Sequence, residues 1–169
     1  MSYKEITINT QPSTIEEFVA LRDNLAISAE GGAAMFILAL KIFAENQEFG
    51  HKCLVASIDL TDLSSATDTY KGYSVSKQDL DRIISQLNYH PYLPKSYIEG
   101  SSPANSYYVQ LPFKMYFKSN PYSGNEAEGK FKVFVKCSGA DSDRPITLTR
   151  NDKGLWKAKE YSTLIVGIR

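Results

Sequence analysis

Cysteine and histidine are scarce in this chain, with two of each among 169 residues. Cys53 and Cys137 fit no CxxC or zinc-ligand spacing, which excludes a disulfide framework and the common zinc sites. His51 and His90 stand apart, and no serine lies in a G-x-S-x-G turn, so no nucleophile has an evident base. We therefore predict no catalytic residue, no metal site and no cofactor, and the sequence favours a protein that is not an enzyme.

Long apolar runs and net charge are also lacking. The longest uncharged apolar run, Gly31–Leu40, is far shorter than the roughly 20 residues that cross a bilayer. The first residues show no apolar segment of the kind that marks a signal peptide. The 19 Lys and Arg balance the 19 Asp and Glu, whereas nucleic-acid-binding proteins usually carry excess positive charge. These absences predict a cytoplasmic protein with reduced cysteines that binds neither membrane nor nucleic acid.

The first half of the chain has the pattern of amphipathic and buried helices. Ser13 and Glu16 form a capping box, and apolar residues follow at helical spacing. Ser28 predicts the start of a second helix that runs to about Gln47. Because the segment Ala33–Leu40 is apolar on every side, this second helix is expected to lie in the core.

The middle of the chain is partly ambiguous. Residues 49–63 fit either a strand or a short third helix, because an apolar run this short satisfies both patterns. Residues 64–75 are rich in Ser, Thr and Asp and are predicted to form a loop. Ser76 and Asp79 repeat the capping signature, and they predict a further helix that Pro91 ends.

From Ser106 onward the apolar period changes from 3.6 residues to two, which is typical of strands. A hairpin turn is predicted at Asn151–Gly154, and residues 1–11 are expected to form a short strand or arm. The resulting prediction is an α+β fold with three to four N-terminal helices packed on one face of a C-terminal antiparallel sheet of four to six strands. Residues 1–169 are expected to form a single domain.

The alternation also predicts the positions of the later strands and of the core. The strands are expected near residues 113–118, 130–137, 146–149 and 164–168. The expected core residues are Met35, Phe36, Leu38, Leu40, Phe43, Leu80, Ile84, Phe131, Val133, Val135, Leu148 and Val166.

Charge is unevenly distributed along the chain. Residues 1–100 carry eight Lys and Arg against 13 Asp and Glu, and residues 101–169 carry 11 against six. Five lysines alternate with apolar residues on two predicted strands, so they should project from the sheet face opposite the helices: Lys114, Lys118, Lys130, Lys132 and Lys136. Lys157 and Lys159 alternate in the next hairpin and extend the pattern. A solvated surface accounts for this pattern, and so does a docking face.

The candidate binding residues come from this basic, aromatic half. Lys130, Lys132 and Lys136 are the candidate partner-binding residues, and the partner is expected to be an acidic protein segment or a second copy of the chain. Tyrosines are dense in residues 70–108, where they either form a contact surface or pin an irregular segment to the body. The candidate ligand-binding residues are Tyr107, Tyr116, Arg144 and Trp156.

Several motifs together resemble a bacterial domain family of unknown function. They are Gly31-Gly-Ala-Ala, Tyr70-Lys-Gly-Tyr, Pro91-Tyr-Leu-Pro-Lys-Ser-Tyr, Asn120-Pro-Tyr-Ser-Gly, Ser138-Gly-Ala-Asp-Ser, Arg144-Pro-Ile-Thr-Leu, Arg150-Asn-Asp-Lys-Gly-Leu-Trp-Lys and Tyr161-Ser-Thr-Leu-Ile-Val-Gly-Ile-Arg. The resemblance implies a bacterial, cytosolic module and transfers no catalytic residue. Helices followed by a meander with a late G-x-W-K hairpin are also similar to the nuclear-transport-factor-2-like cone, although the helices here are grouped first.

These observations favour a non-catalytic bacterial protein-interaction module. The alternative is a small-molecule-binding or enzymatic domain with an aromatic-lined pocket. A cavity whose wall carries Arg144, Trp156 or several tyrosines would favour that alternative.

Overall fold

The computed structural model describes residues 2–169, and it confirms the predicted α+β fold. The helices are α1 (Ile15–Leu25), α2 (Ala29–Glu45), α3 (Gln47–Ser57) and α4 (Lys77–Tyr89). The strands are β1 (Lys4–Ile8), β2 (Leu63–Tyr70), β3 (Tyr73–Val75), β4 (Phe113–Lys118), β5 (Gly124–Asn125), β6 (Lys130–Val135), β7 (Arg144–Arg150) and β8 (Trp156–Glu160).

Helix α2 is the centre of the structure, as predicted. The Ser28 side chain accepts a hydrogen bond from the Gly31 amide at 3.0 Å and so begins the helix. Every residue from Ala29 to Phe43 is buried. One side of α2 packs on the sheet and another packs on α3, which explains why the helix has no polar face.

The ambiguous stretch after α2 forms helix α3. Asn46 separates the two helices: its amide donates to the Ile42 carbonyl at 2.8 Å, and its side chain accepts from the Phe49 amide at 3.2 Å. One residue therefore ends α2 and caps α3. Helix α3 then packs along α2, so residues 53–57 of the apolar run are buried as a helix.

The cap of helix α1 lies one residue later than predicted. Thr14 accepts from the Glu17 amide at 3.2 Å, and the Glu17 carboxylate accepts from the Ser13 amide at 2.9 Å. Both the Ser13/Glu16 and the Thr14/Glu17 pairs match the capping pattern. The Ser76 cap of α4 is confirmed, with the Asp79 amide 3.4 Å from the Ser76 hydroxyl.

The main sheet is antiparallel and has the order β1-β4-β6-β7-β8, with the short β5 paired to β6. The N-terminal strand is confirmed, because β1 forms one edge by pairing Ile6 with Met115 and Ile8 with Phe113. Strand β8 forms the other edge, where the Trp156 amide donates to the Ala26 carbonyl and the Asp59 amide donates to the Ala158 carbonyl. The helices therefore close the β8 edge.

The prediction of a loop at residues 64–75 is wrong. Strands β2 and β3 form a separate two-stranded sheet, joined by a turn in which Lys71 (φ 49°) and Gly72 (φ 87°) are both left-handed. No apolar alternation marked this hairpin, because most of β2 is exposed or half-buried.

The predicted closing strand at residues 164–168 is also absent. The chain turns at Ser162–Leu164, and side chains instead of a neighbouring strand satisfy its carbonyls. Arg144 donates to the Val166 carbonyl at 3.2 Å and to the Gly167 carbonyl at 2.6 Å. Val166 is accordingly half-buried and outside the core, so this core prediction is wrong. Leu80 and Ile84 are partly buried and pack against the core, and the other nine predicted core residues are buried.

Candidate functional site

Five lysines mark the sheet face that points away from α2, and we call them the lysine face: Lys114, Lys118, Lys130, Lys132 and Lys136. The strand period of two explains the arrangement, since the intervening Met115, Phe117, Val133 and Val135 are fully buried against the core. Phe134 pairs with Lys118 on one neighbouring strand and with Pro145 on the other, so a half-buried apolar strip runs between the lysines.

Two of the five lysines form ion pairs, and both use acids from the same half of the chain. Lys118 lies 3.2 Å from Asp143, and Lys130 lies 3.8 Å from Glu160. Lys114, Lys132 and Lys136 form no ion pair within residues 2–169. The Lys136 ammonium lies 4.9 Å from the centre of the Tyr3 ring and 5.8 Å from that of Tyr116. The positive charge of Lys114, Lys132 and Lys136 is therefore not balanced by an ion pair among the described residues.

Tyr116 lies between these lysines and two acids. Its hydroxyl is 2.9 Å from the Glu99 carboxylate and 3.1 Å from the Glu5 carboxylate. The hydrogen bond to Glu99 and desolvation raise the pKa of Tyr116 to about 12. The phenol therefore stays neutral at physiological pH and acts as a hydrogen-bond donor.

A polar groove of about 320 Å³ opens beside Tyr116 at the end of the lysine face. It forms because the pairing along β4 and β6 ends where the Lys136 amide donates to the Tyr116 carbonyl at 3.0 Å, and the two segments then diverge. The segment 96–101 fills the gap, with the Glu99 amide bonded to the Lys114 carbonyl and the Ser138 amide bonded to the Ser96 carbonyl, both at 2.8 Å. We call it the serine groove, after Ser96, Ser101, Ser138 and Ser142, which line it.

Three of the four serines of this groove are committed to local hydrogen bonds. Ser96 donates to the Leu93 carbonyl at 2.6 Å, and Ser101 donates to the Ile98 carbonyl at 2.7 Å. Ser138 lies 2.9 Å from the Ser101 hydroxyl. No histidine is among the residues that line the groove, so none of these hydroxyls has a neighbouring imidazole base. The hydrogen bonds of Ser138 to Ser101 and to the Ser96 carbonyl join the two segments that line the groove.

The four candidate ligand-binding residues do not meet in one place. Tyr116 lines the serine groove. The Tyr107 hydroxyl donates to the Arg169 carbonyl, and Arg144 holds the C-terminal carbonyls and the Tyr97 hydroxyl, which is 3.0 Å away. Trp156 is 3% exposed and belongs to the core, where the Arg150 guanidinium lies 5.4 Å from its ring. Within residues 2–169 these three side chains bind the chain itself, so their role as ligand contacts stays a prediction.

A second, larger cavity of about 460 Å³ lies beyond the edge of β8. Its walls come from the end of α1, the end of α3 with residues 58–61, the β2–β3 hairpin and the β7–β8 turn. We call it the Lys157 cavity. Lys157 pairs with Thr149 in the sheet, and Thr149 also pairs with Lys130, so Lys157 lies on the same side of the sheet as the lysine face. Lys159 is separate, since it lies 3.2 Å from Asp62.

Lys157 is half-buried and forms no ion pair or hydrogen bond in the part of the chain that the structure describes. Burial, followed by the repulsion of Arg22, lowers the pKa of Lys157 to about 8. The nearby Asp59 carboxylate partly offsets this shift, but it forms no ion pair with Lys157 and accepts hydrogen bonds from Thr149 and Thr61. Burial would raise the pKa of Asp59, but these hydrogen bonds and Lys159 hold it below its ordinary value.

The cysteines and histidines lie apart from one another. Cys53 is buried, which raises the pKa of its thiol to about 12, and Cys137 donates weakly to the Ser96 hydroxyl at 3.4 Å. The His51 Nε2 accepts from the Val75 amide at 3.0 Å. Residues 2–169 contain no cluster of three or more His, Cys, Asp or Glu suited to a metal ion. In the same residues, no helix has the length and apolar character needed to cross a bilayer.

A family model described as a domain of unknown function, DUF6935, matches residues 10–169. The chain belongs to this family. Comparisons with curated proteins and with solved structures gave no match. The similarity to a nuclear-transport-factor-2-like cone therefore stays a prediction.

Sequence reasoning located the lysine face of this DUF6935 domain but missed the Lys157 cavity. Lys157 has the same alternation as the other lysines, and nothing in its neighbours shows that it is enclosed. The pair Lys71-Gly72 between two tyrosines was the available signal, because Gly with flanking aromatic residues suits a hairpin turn. Tyr70 and Tyr73 of that hairpin form part of the cavity wall.

Replacing Lys157 by methionine is expected to stabilise the domain at neutral pH, by about 1–3 kcal/mol in the free energy of unfolding. A lysine with a pKa of about 8 in the folded state, against 10.5 as its ordinary value, disfavours the folded state while it is protonated. As pH rises from about 8 to about 10.5, the folded wild type loses this proton before the unfolded chain does. The advantage of Lys157→Met should therefore shrink across that window.

Urea denaturation of both proteins at several pH values measures this difference. Lys77→Met is the matched control, because Lys77 is exposed on α4 and its loss should change stability by less than about 0.5 kcal/mol. A Lys157→Met variant that is less stable than wild type at pH 7 would contradict the account of Lys157 as an unpaired, desolvated cation.

Proposed function

We propose that this domain is a non-catalytic interaction module that docks an acidic protein segment on the lysine face. The observation that carries the proposal is the set of three lysines, Lys114, Lys132 and Lys136, that have no ion-pair partner within residues 2–169. They lie on a sheet face that points away from α2, and the Phe134 strip between them offers apolar contact. Such a surface suits a segment in which acidic and apolar residues alternate.

The charge distribution supports a partner outside the chain. If the acidic half and the basic half only complemented each other, ion pairs between the halves would involve several sheet lysines. Among the ion pairs of residues 2–169, those that join the halves use Lys159 with Asp59 and Asp62. The lysine face projects away from the acidic helices, so its charge is not consumed by them.

The cellular setting in this proposal is the bacterial cytoplasm. The two free cysteines, one of them buried with a raised pKa, are in keeping with a reducing compartment. The serine groove opens at the end of the same face, beside the Tyr116 hydroxyl, which donates to the Glu99 and Glu5 carboxylates. A docked segment would therefore meet charge, an apolar strip and polar groups in succession.

A labelled peptide of alternating glutamate and leucine, titrated into the domain, tests the proposal. We expect binding at low ionic strength that weakens as salt is raised from about 50 mM to about 500 mM, because exposed charges are screened. The variant Lys130/Lys132/Lys136→Glu should bind about tenfold more weakly or worse. The control Lys52/Lys77/Lys95→Glu changes the net charge equally on other surfaces and should bind within about threefold of wild type.

Two outcomes would overturn this proposal. Equal losses in the two triple variants would show that only the net charge of the domain matters. A concentration-dependent dimer that the lysine-face variant abolishes, seen by sedimentation and without peptide binding, would assign the face to a second copy of the chain. Far-ultraviolet circular dichroism of each variant confirms that the fold is retained.

A further inference from the structure

The Lys157 cavity carries an inference separate from the lysine face. Five segments enclose it: α1 contributes Arg22, the end of α3 contributes Val55 and Ala56, residues 58–61 contribute Leu60, the hairpin contributes the two tyrosines, and the β7–β8 turn contributes Leu155. Its volume of about 460 Å³ falls within the range of small-molecule pockets, about 300–1,000 Å³. The cavity is therefore formed jointly by helices, the hairpin and a turn, and not by one loop.

Apolar side chains line much of this cavity. Leu60 is 57% exposed there, although a large aliphatic side chain is costly to leave in water. Val55, Leu63 and Leu155 lie in the same wall, and Tyr70 and Tyr73 add ring faces. The wall therefore suits the apolar body of a ligand, because binding would bury apolar surface that contacts water in the empty cavity.

Three cations and three anions face Lys157, and two of the three anions already have partners. Those from the surrounding elements are Arg22 and Asp23 of α1, Asp59 after α3, Lys71 of the hairpin, and Asp152 and Lys153 of the β7–β8 turn. Asp23 is paired with Arg22 at 2.9 Å, and Asp59 accepts hydrogen bonds from Thr149 and Thr61. Lys71, Lys153 and Lys157 form no ion pair among residues 2–169.

We propose that this cavity binds a small organic anion, with a carboxylate or phosphate group on Lys157 and an aromatic or branched apolar body against Leu60 and the hairpin tyrosines. An anion beside Lys157 replaces the water that this half-buried ammonium lacks and offsets the repulsion from Arg22 and Lys153. A bare inorganic anion would contact Lys157 and leave the apolar wall of the cavity uncovered.

Binding of the anion should be coupled to the uptake of a proton by Lys157 near pH 8. Because an anion favours the charged form of its neighbour, it raises the pKa of Lys157 from the value of about 8 that the empty cavity gives it. At that pH Lys157 is neutral in a fraction of the unbound molecules, and it becomes protonated when they bind the anion. Affinity should therefore fall as pH rises above about 8, and the fall should disappear in a variant that lacks the amine.

Isothermal titration calorimetry with four probes tests this: phenyl phosphate, benzoate, benzyl alcohol and inorganic phosphate. We expect one or both aromatic anions to bind about tenfold more tightly than benzyl alcohol and than inorganic phosphate. The preference between phenyl phosphate and benzoate tells which anionic group the site takes. At pH 8, titrations in buffers of different ionisation enthalpy should reveal the proton uptake.

Three variants locate the binding. Lys157→Met should lose about tenfold or more in affinity and all of the proton uptake, although it is expected to be more stable than wild type. Leu60→Ser should weaken the aromatic anions and leave inorganic phosphate unchanged, and Lys77→Met should behave as wild type. The proposal is overturned if neither aromatic anion binds more tightly than benzyl alcohol at millimolar concentration, or if Lys157→Met binds them as wild type does.

Discussion

Replacing Phe36 by alanine is expected to lower the free energy of unfolding by about 3–5 kcal/mol. Phe36 lies in the middle of α2 and is fully buried, and its ring centre is 4.6 Å from that of Tyr161. The substitution removes the ring from a site closed by both the helices and the sheet, so the surroundings have little freedom to collapse into the cavity. A loss of this size is a large part of the roughly 5–15 kcal/mol that stabilises a typical domain.

Urea denaturation followed by circular dichroism measures the loss. Ile27→Ala is the control, because Ile27 is 69% exposed between α1 and α2 and its truncation should cost less than about 0.5 kcal/mol. Phe36→Leu keeps most of the apolar volume and should fall between wild type and Phe36→Ala. Equal stability of Phe36→Ala and wild type would contradict the central position of α2.

The parts of the fold that sequence reasoning predicted correctly are those in which one local pattern fixes the outcome. Helix α2 combines a cap at Ser28 with an apolar run too long for a strand, so both its start and its burial follow from the sequence. The lysine face is similar, because alternation along β4 and β6 separates Met115 and Val133 from the lysines.

The parts of the fold that sequence reasoning missed depend on contacts between distant segments. The alternation of Leu164, Val166 and Ile168 satisfies a strand pattern, but Arg144 and Tyr97 take the carbonyls of that segment before any strand can pair with it. The β2–β3 hairpin is stabilised by its turn and lies beside α3, so its strands need no apolar alternation. Neither the hydrogen bonds to the C-terminal carbonyls nor the packing of the hairpin beside α3 can be predicted from a pattern of about ten residues.

The two candidate sites differ in the same way. The lysine face is formed by residues of two strands, and each of its lysines could be predicted from the alternation along those strands. The Lys157 cavity requires Arg22, Leu60, Tyr70 and Lys157 to converge from four segments, and the residues between them carry no shared motif. In the sequence Lys157 has the pattern of a surface lysine, and only its enclosure in the cavity distinguishes it from Lys132.

Replacing Gly50 by alanine is expected to destabilise the domain by about 1–3 kcal/mol or more, because α2 and α3 touch at this glycine. A Cβ atom at position 50 would lie 2.1 Å from the Phe43 Cα and 2.3 Å from its amide nitrogen. Both are backbone atoms, so no side chain can rotate away, and the two helices must separate. This separation opposes the gain of roughly 0.5–1 kcal/mol that alanine usually brings to a helix interior.

Thermal and urea unfolding of Gly50→Ala, beside Glu48→Ala, measure the effect. Glu48 is exposed in the same helix, so its replacement changes helix propensity without placing an atom between α2 and α3. We expect Glu48→Ala to remain within about 0.5 kcal/mol of wild type. A Gly50→Ala protein as stable as wild type would show that α3 can move away from Phe43 at no cost. The close packing of α3 on α2, which buries Cys53–Ser57, would then not require a glycine at position 50.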